Sequence, residues 1–202
     1  MKVKLLLFAL SMMVLSVLLV ACAKAPQQEI EAAKAALEAA KTAEADRYAA
    51  DLYNAAKDSL DAALAEVEAQ NAKFALTRNF DKAQKWLQSA ITAANAAKEA
   101  VAANKEQIRA EAQDLWNQAK AAVAEVKALM AKAPKGKEGK QVLEQMQSEI
   151  SGVEASLAEA ETALNNGDFL TARDKAKAGL EKATALKDEL NQAISKKAAL
   201  SK

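Results

Sequence analysis

The chain has 202 residues, with 28 basic and 27 acidic side chains, so its near-zero charge offers no broad field to gather nucleic acid. Histidine is absent, which excludes histidine-based triads and imidazole metal sites. Alanine supplies 52 residues, glycine 5, proline 2 and aromatics 4%; these are helix formers, and the β-branched and aromatic residues of a sheet are scarce. The expected fold class is all-α.

Lys2 and Lys4 form a short basic start, and Leu5 to Ala21 form an uncharged apolar run of 17 residues. That is a little short of the roughly 20 residues a permanent membrane helix needs. The run ends in small residues and is followed by a polar, proline-containing stretch, which fits an export signal over residues 1–21. Three fates are open to it. Leu19-Val20-Ala21-Cys22 resembles a bacterial lipobox, in which Cys22 receives diacylglycerol and an N-acyl chain and becomes the mature N-terminus. Ala21-Cys22-Ala23 instead matches an ordinary A-x-A cleavage site, which would release a chain starting at Lys24, and an uncleaved anchor is the third route.

Cys22 is the one cysteine of the sequence, so no intramolecular disulfide is available. Two or three acyl chains on it anchor stably where one is marginal. By resemblance to known lipoproteins, Ala23 implies the outer membrane, facing the periplasm. Residues 22–28 would act as a tether, and the mature chain carries a net charge of −1 before termini are counted.

The remainder reads as two copies of one unit. Ala32–Lys41 aligns with Gln118–Lys127, Ala63–Glu68 with Ser156–Glu161, and Asn79–Ala83 with Asp168–Ala172, at offsets of 86, 93 and 89. Apolar spacing predicts three helices per copy, over 27–45, 49–73 and 79–104, then 112–132, 140–165 and 168–197, in units of 29–104 and 105–202. The fifth helix carries a stripe of Leu143, Met146, Ile150, Val153, Leu157, Ala160 and Leu164. The sixth carries Phe169, Ala172, Ala176, Gly179, Ala183, Leu186 and Leu190. Such seams call for partner helices, so each unit is expected to close as a three-helix, coiled-coil-like bundle. Asn165-Asn-Gly-Asp168 supplies a glycine for a left-handed helix end and an aspartate for the next start. The stretch from Ala133 to Lys140, with Pro134, Gly136 and Gly139 among lysines, reads as a flexible basic loop.

Between Phe80 and Met130 there is neither glycine nor proline. The stripe runs through Phe80, Ala83, Leu87, Ala90, Ala94, Ala97 and Val101, then Asn104, Ile108, Ala112, Leu115 and Ala119, with a stutter at Asn104–Ile108–Ala112. One continuous helix over about 80–131 is expected, roughly 75 Å long at 1.5 Å per residue. It would join the two bundles as linker helices join spectrin-like repeats in a rod. A hairpin break near Asn104-Lys-Glu-Gln107 is the alternative. Glu31–Lys34, Glu38–Lys41, Asp81–Lys85 and Glu106–Arg109 are spaced to pair along helix faces.

The run AAKAALEAAKTAEADRYAADLYNAAKDSLDAALAEVEAQ, followed by NFDKAQKWLQSAITAANAAKEAV, spans residues 32–101 and resembles the alanine-rich bacterial lipoproteins grouped as domain of unknown function 4398. Tyr48-Ala49 match that family's turn, while Ala50 stands where the family commonly has proline; residues 115–190 repeat the pattern more loosely. The resemblance implies an envelope lipoprotein with no assigned chemistry and no catalytic residues to carry over.

The five glycines form no phosphate cradle. Asp58 and Asp61 share a helix face but read as solvated, and Trp86 and Trp116 read as seam packing rather than ligand stacking. Lys202, near the end of the chain, is a candidate for linkage to peptidoglycan. The leading expectation is a non-enzymatic, lipid-anchored structural or interaction module, with the membrane and an envelope protein or peptidoglycan as partners. Its only non-protein group would be the lipid on Cys22, and its seam faces could also pair between chains. The alternative is a periplasmic binding module or holdase for lipid or an unfolded client.

Overall fold

The computed structural model describes residues 24–133 and 137–200. Among them are six α-helices and no strands: α1 (Gln27–Thr42), α2 (Ala45–Tyr48), α3 (Ala50–Asn71), α4 (Asp81–Lys132), α5 (Lys137–Asn165) and α6 (Phe169–Leu200). The all-α expectation holds. The chain divides into two compact units between Ala102 and Ala103.

In the first unit, α1, α3 and the first half of α4 pack around Ile30, Ala33, Leu60, Ala63, Val67, Phe80, Ala83, Leu87 and Ala90. Four of these nine are alanine, which lets the helices approach closely, and the five larger side chains fill the space between them. Ser59 crosses the seam toward Ser89, with the two hydroxyl oxygens 3.5 Å apart, while donating to the Ala55 carbonyl at 2.8 Å.

The first turn differs from expectation. Helix 27–45 ends three residues early, at Thr42, and Glu44 takes a left-handed conformation at φ 66°. The short α2 follows, and Ala49 at φ −141° breaks the path again before α3. Residues with a side chain rarely adopt the left-handed region of Glu44, because the Cβ crowds the following carbonyl. What holds the turn is Tyr48, 4% exposed, whose N–H donates to the Glu44 carbonyl at 3.0 Å.

The second unit is built by the rest of α4 with α5 and α6. Its core joins Val123 and Val126 of α4 to Met146, Ile150, Val153 and Leu157 of α5 and to Ala183, Leu186 and Leu190 of α6. The predicted stripes are the buried faces, with Leu143, Leu164 and Phe169 at their half-buried ends. Gly179 is on this seam for a packing reason: a Cβ there would stand 3.1 Å from Leu157 Cδ2.

Gly167 closes α5 at φ +78°. Its N–H reaches the Leu164 carbonyl at 3.1 Å and the Asp168 N–H reaches Ala163 at 2.9 Å, the paired bonds of a Schellman end. The Asp168 carbonyl then accepts the Ala172 N–H at 3.0 Å as α6 begins. The predicted basic loop is shorter than expected, because α5 already starts at Lys137 and takes Gly139 and Lys140 into its first turn.

The long helix is continuous. α4 runs 52 residues without a break, so the hairpin alternative at Asn104–Gln107 is not what the chain does. The stutter leaves a mark in the seam: Val101 and Ala112 are buried, while Asn104 and Ile108 between them are only half-buried.

Ion pairs along single helices form at Glu31–Lys34 and Glu106–Arg109, both at 3.3 Å. Glu38–Lys41 and Asp81–Lys85 do not close, and Asp81 instead accepts from Asn79 Nδ2 at 3.2 Å. Pairs between helices went unanticipated. In the second unit Lys127–Glu154 (2.6 Å) ties α4 to α5, Lys187–Glu125 (3.0 Å) ties α6 to α4, and Lys182–Glu149 with Lys175–Glu159 tie α6 to α5. Exposed pairs of this kind contribute about 0.2–1 kcal/mol each, so they set alignment more than stability.

Candidate functional site

Cys22, its neighbours Leu19, Val20 and Ala21, and Lys202 all lie outside the described residues. What the structure describes is the end of the first unit where the chain emerges from them. Lys24, Pro26 and Gln27, entering α1, line one open recess together with Arg78 and Gln84. The segment from Lys24 into α1 and the loop between α3 and α4 therefore share one end of the unit.

That loop is closely held. Arg78 bridges back to the end of α3, its Nε donating to the Lys73 carbonyl at 3.1 Å and its Nη2 to the Asn71 carbonyl at 3.0 Å. The Asn71 carbonyl is among those a helix end leaves unpaired. A short 3-10 turn, Ala75–Thr77, follows, with the Thr77 N–H and hydroxyl both donating to the Phe74 carbonyl at 2.9 Å. Gln70, only 7% exposed, accepts the Asn79 N–H at 3.1 Å and donates to Glu66 at 2.7 Å. Glu66 in turn receives Lys82 Nζ at 2.8 Å. The donors Lys82 and Gln70, in that order, hold the Glu66 carboxyl below its ordinary range. Asn79 Oδ1 accepts the Asp81 N–H at 2.7 Å and opens α4.

This fixed scaffold leaves two large apolar side chains outside. Phe74 is 72% exposed and Leu76 is 68% exposed. Sequence reasoning passed over both, because a single exposed apolar residue in a loop has no periodic signature.

The second unit holds a recess of about 280 Å³ between α4 and α5. Val123 and Leu157 provide its apolar lining, and Lys127 and Glu154 are among the charged groups around it. Trp116 borders it, yet its indole N–H is used on the Leu157 carbonyl at 3.0 Å and Lys120 Nζ stands 4.1 Å over its ring. A ligand stacking on that ring would have to displace the ammonium. Trp86 is 40% exposed beside the buried Leu87, at the edge of its seam.

Asp58 and Asp61 are exposed, and Asp61 accepts from Lys57 at 3.1 Å, which raises the lysine's pKa. Among the described residues no group of three or more His, Cys, Asp or Glu side chains could hold a metal ion. No helix among them is long and apolar enough to cross a membrane. Comparison with known proteins gives no match: no family model, no curated protein and no solved structure aligns significantly with the chain.

Proposed function

We propose that this chain is a bacterial envelope lipoprotein, non-catalytic and held by acyl chains on Cys22, whose helical units serve as a structural or interaction module. The observation that carries the reading is Leu19-Val20-Ala21-Cys22 directly after an uncharged apolar run with a basic start. The exposure of Lys24, beside an open recess of the first unit, supports it, since the chain leading to Lys24 reaches the unit at its surface. Kinship with the domain of unknown function 4398 lipoproteins, an outer-membrane location by way of Ala23, and an envelope protein or peptidoglycan as partner belong to the same proposal. Linkage through Lys202 is its subsidiary part, and would appear as protein released from cell walls only by muramidase.

The test is the intact mass of the mature protein extracted from native membranes. Residues 22–202 carrying two or three acyl chains is the expected result. Residues 24–202 without lipid would overturn the anchor and favour the second reading, a periplasmic binding module for lipid or an unfolded client. The recess between α4 and α5 favours that reading, and thermal stabilisation by lipid extract that Val123→Glu removes would support it.

A further inference from the structure

The exposure of Phe74 and Leu76 is built in rather than incidental. Arg78 and Gln70 bind the loop to the end of α3, and Thr77 closes it on the Phe74 carbonyl, so the loop is held while both side chains stay outside. They are the two most exposed large apolar residues among those described. Lys73 and Arg78 flank them in sequence, and Lys24 stands beside Arg78 in the recess at the same end; Glu29 is the acidic residue lining that recess. Cys22 is two residues before Lys24, a span of at most about 7 Å of extended chain. Any bilayer holding acyl chains on Cys22 is thus brought to the end of the unit that carries this loop.

We propose that Phe74 and Leu76 form a second membrane contact, entering the interfacial layer of the same bilayer with Lys73 and Arg78 at the headgroup level. The proposal rests on the lipid-anchor reading. Two apolar side chains on a loop are too little to recruit a protein from solution, but the anchor makes their encounter with the bilayer intramolecular. An acyl anchor alone leaves the first unit free to tumble on its tether; the second contact fixes which end faces the lipid.

The experiment uses full-length protein isolated with its lipid and carrying Phe74→Cys, Leu76→Cys or Asp51→Cys, each labelled with a nitrobenzoxadiazole dye. The proteins are reconstituted into vesicles of phosphatidylethanolamine and phosphatidylglycerol. Lipidation consumes the Cys22 thiol, so the introduced thiol is the only one to label, and the intact mass of each protein reports separately on the anchor. Asp51 is exposed and lies 20 residues before the end of α3, about 30 Å away at 1.5 Å per residue. The expected result is a blue-shifted emission at 74 and 76, quenched at least twofold by brominated lipids, with a water-like dye at 51.

Water-like, unquenched dyes at 74 and 76 on protein whose mass includes lipid would overturn this contact and leave the anchor standing. Dyes protected at high protein density but not quenched by bromolipid would also overturn it, in favour of a second copy of the chain as the occupant. A mass without lipid, on protein that does not stay with the vesicles, would overturn both. Phe74→Ser with Leu76→Ser serves as the folding control and should melt with the unsubstituted protein, since neither side chain supports the core.

Discussion

Gly152 and Gly167 invite the same substitution with opposite results. Gly152 lies within α5 in open space, with nothing within 4 Å of an added Cβ. Alanine there reduces the freedom of the unfolded chain and favours the helix, so Gly152→Ala should stabilise by about 0.5–1 kcal/mol. Gly167 also has open space, but its φ of +78° is strained for any Cβ, and Gly167→Ala should cost about 1–2 kcal/mol. Urea unfolding midpoints moving in opposite directions would verify the pair. The Glu66 carboxylate gives a second residue-scale test. Its folded pKa lies below the ordinary 4.5, so its contribution is present above that pH and is lost as pH falls through the lowered folded value. Unfolding midpoints of the unsubstituted protein should therefore fall more steeply below pH 4.5 than those of Glu66→Gln. Gln70→Ala should cost about 1–3 kcal/mol, because it strands the Asn79 N–H in a half-buried site.

At the scale of the helices, the seams combine many alanines with a few large side chains. Ile150 is fully buried in the second unit, and Ile150→Ala should cost about 2–5 kcal/mol through lost burial and the cavity left behind. Ala94, also fully buried in α4, reports the opposite fault. Ala94→Leu should cost about 1–3 kcal/mol, because a closely approached seam has no room for three more carbons. Thermal melts of the two variants test both ends of the packing argument. The seams themselves were legible in the sequence: every position of the predicted α5 and α6 stripes is buried or half-buried. Helix ends were less so. Gly167 advertised its turn, because glycine is the residue that tolerates it, whereas the turn at Glu44 has no glycine, proline or asparagine and is held by a tyrosine buried by the rest of the unit.

At the scale of the whole molecule, α4 is the element both units share, and its weakest stretch is where Asn104 and Ile108 leave the seam thin. Gln107 is exposed there, so a substitution acts on the backbone without disturbing a core. Gln107→Pro removes a helical hydrogen bond and collides with the preceding turn, a local penalty of about 3 kcal/mol. Limited proteolysis followed by mass spectrometry should show new cleavage between residues 102 and 112, while the unsubstituted chain resists there. The candidate site was legible in unequal parts. Leu19-Val20-Ala21-Cys22 is contiguous, so its pattern shows in the sequence whatever the fold. The exposed loop after α3 was not legible there, because its meaning depends on the end of the unit it shares with Lys24.

Composition and periodicity alone determined that this chain is helical and which faces are buried, and they favoured a continuous α4 over a hairpin. Those properties depend on residues within a turn or two of one another. Tertiary structure decided the left-handed turn at Glu44, the Gln70–Asn79 tie, the ion pairs between helices and the exposure of Phe74 and Leu76. Each of these requires groups distant in sequence to be brought together or held apart, and local spacing carries no record of which distant residues will meet.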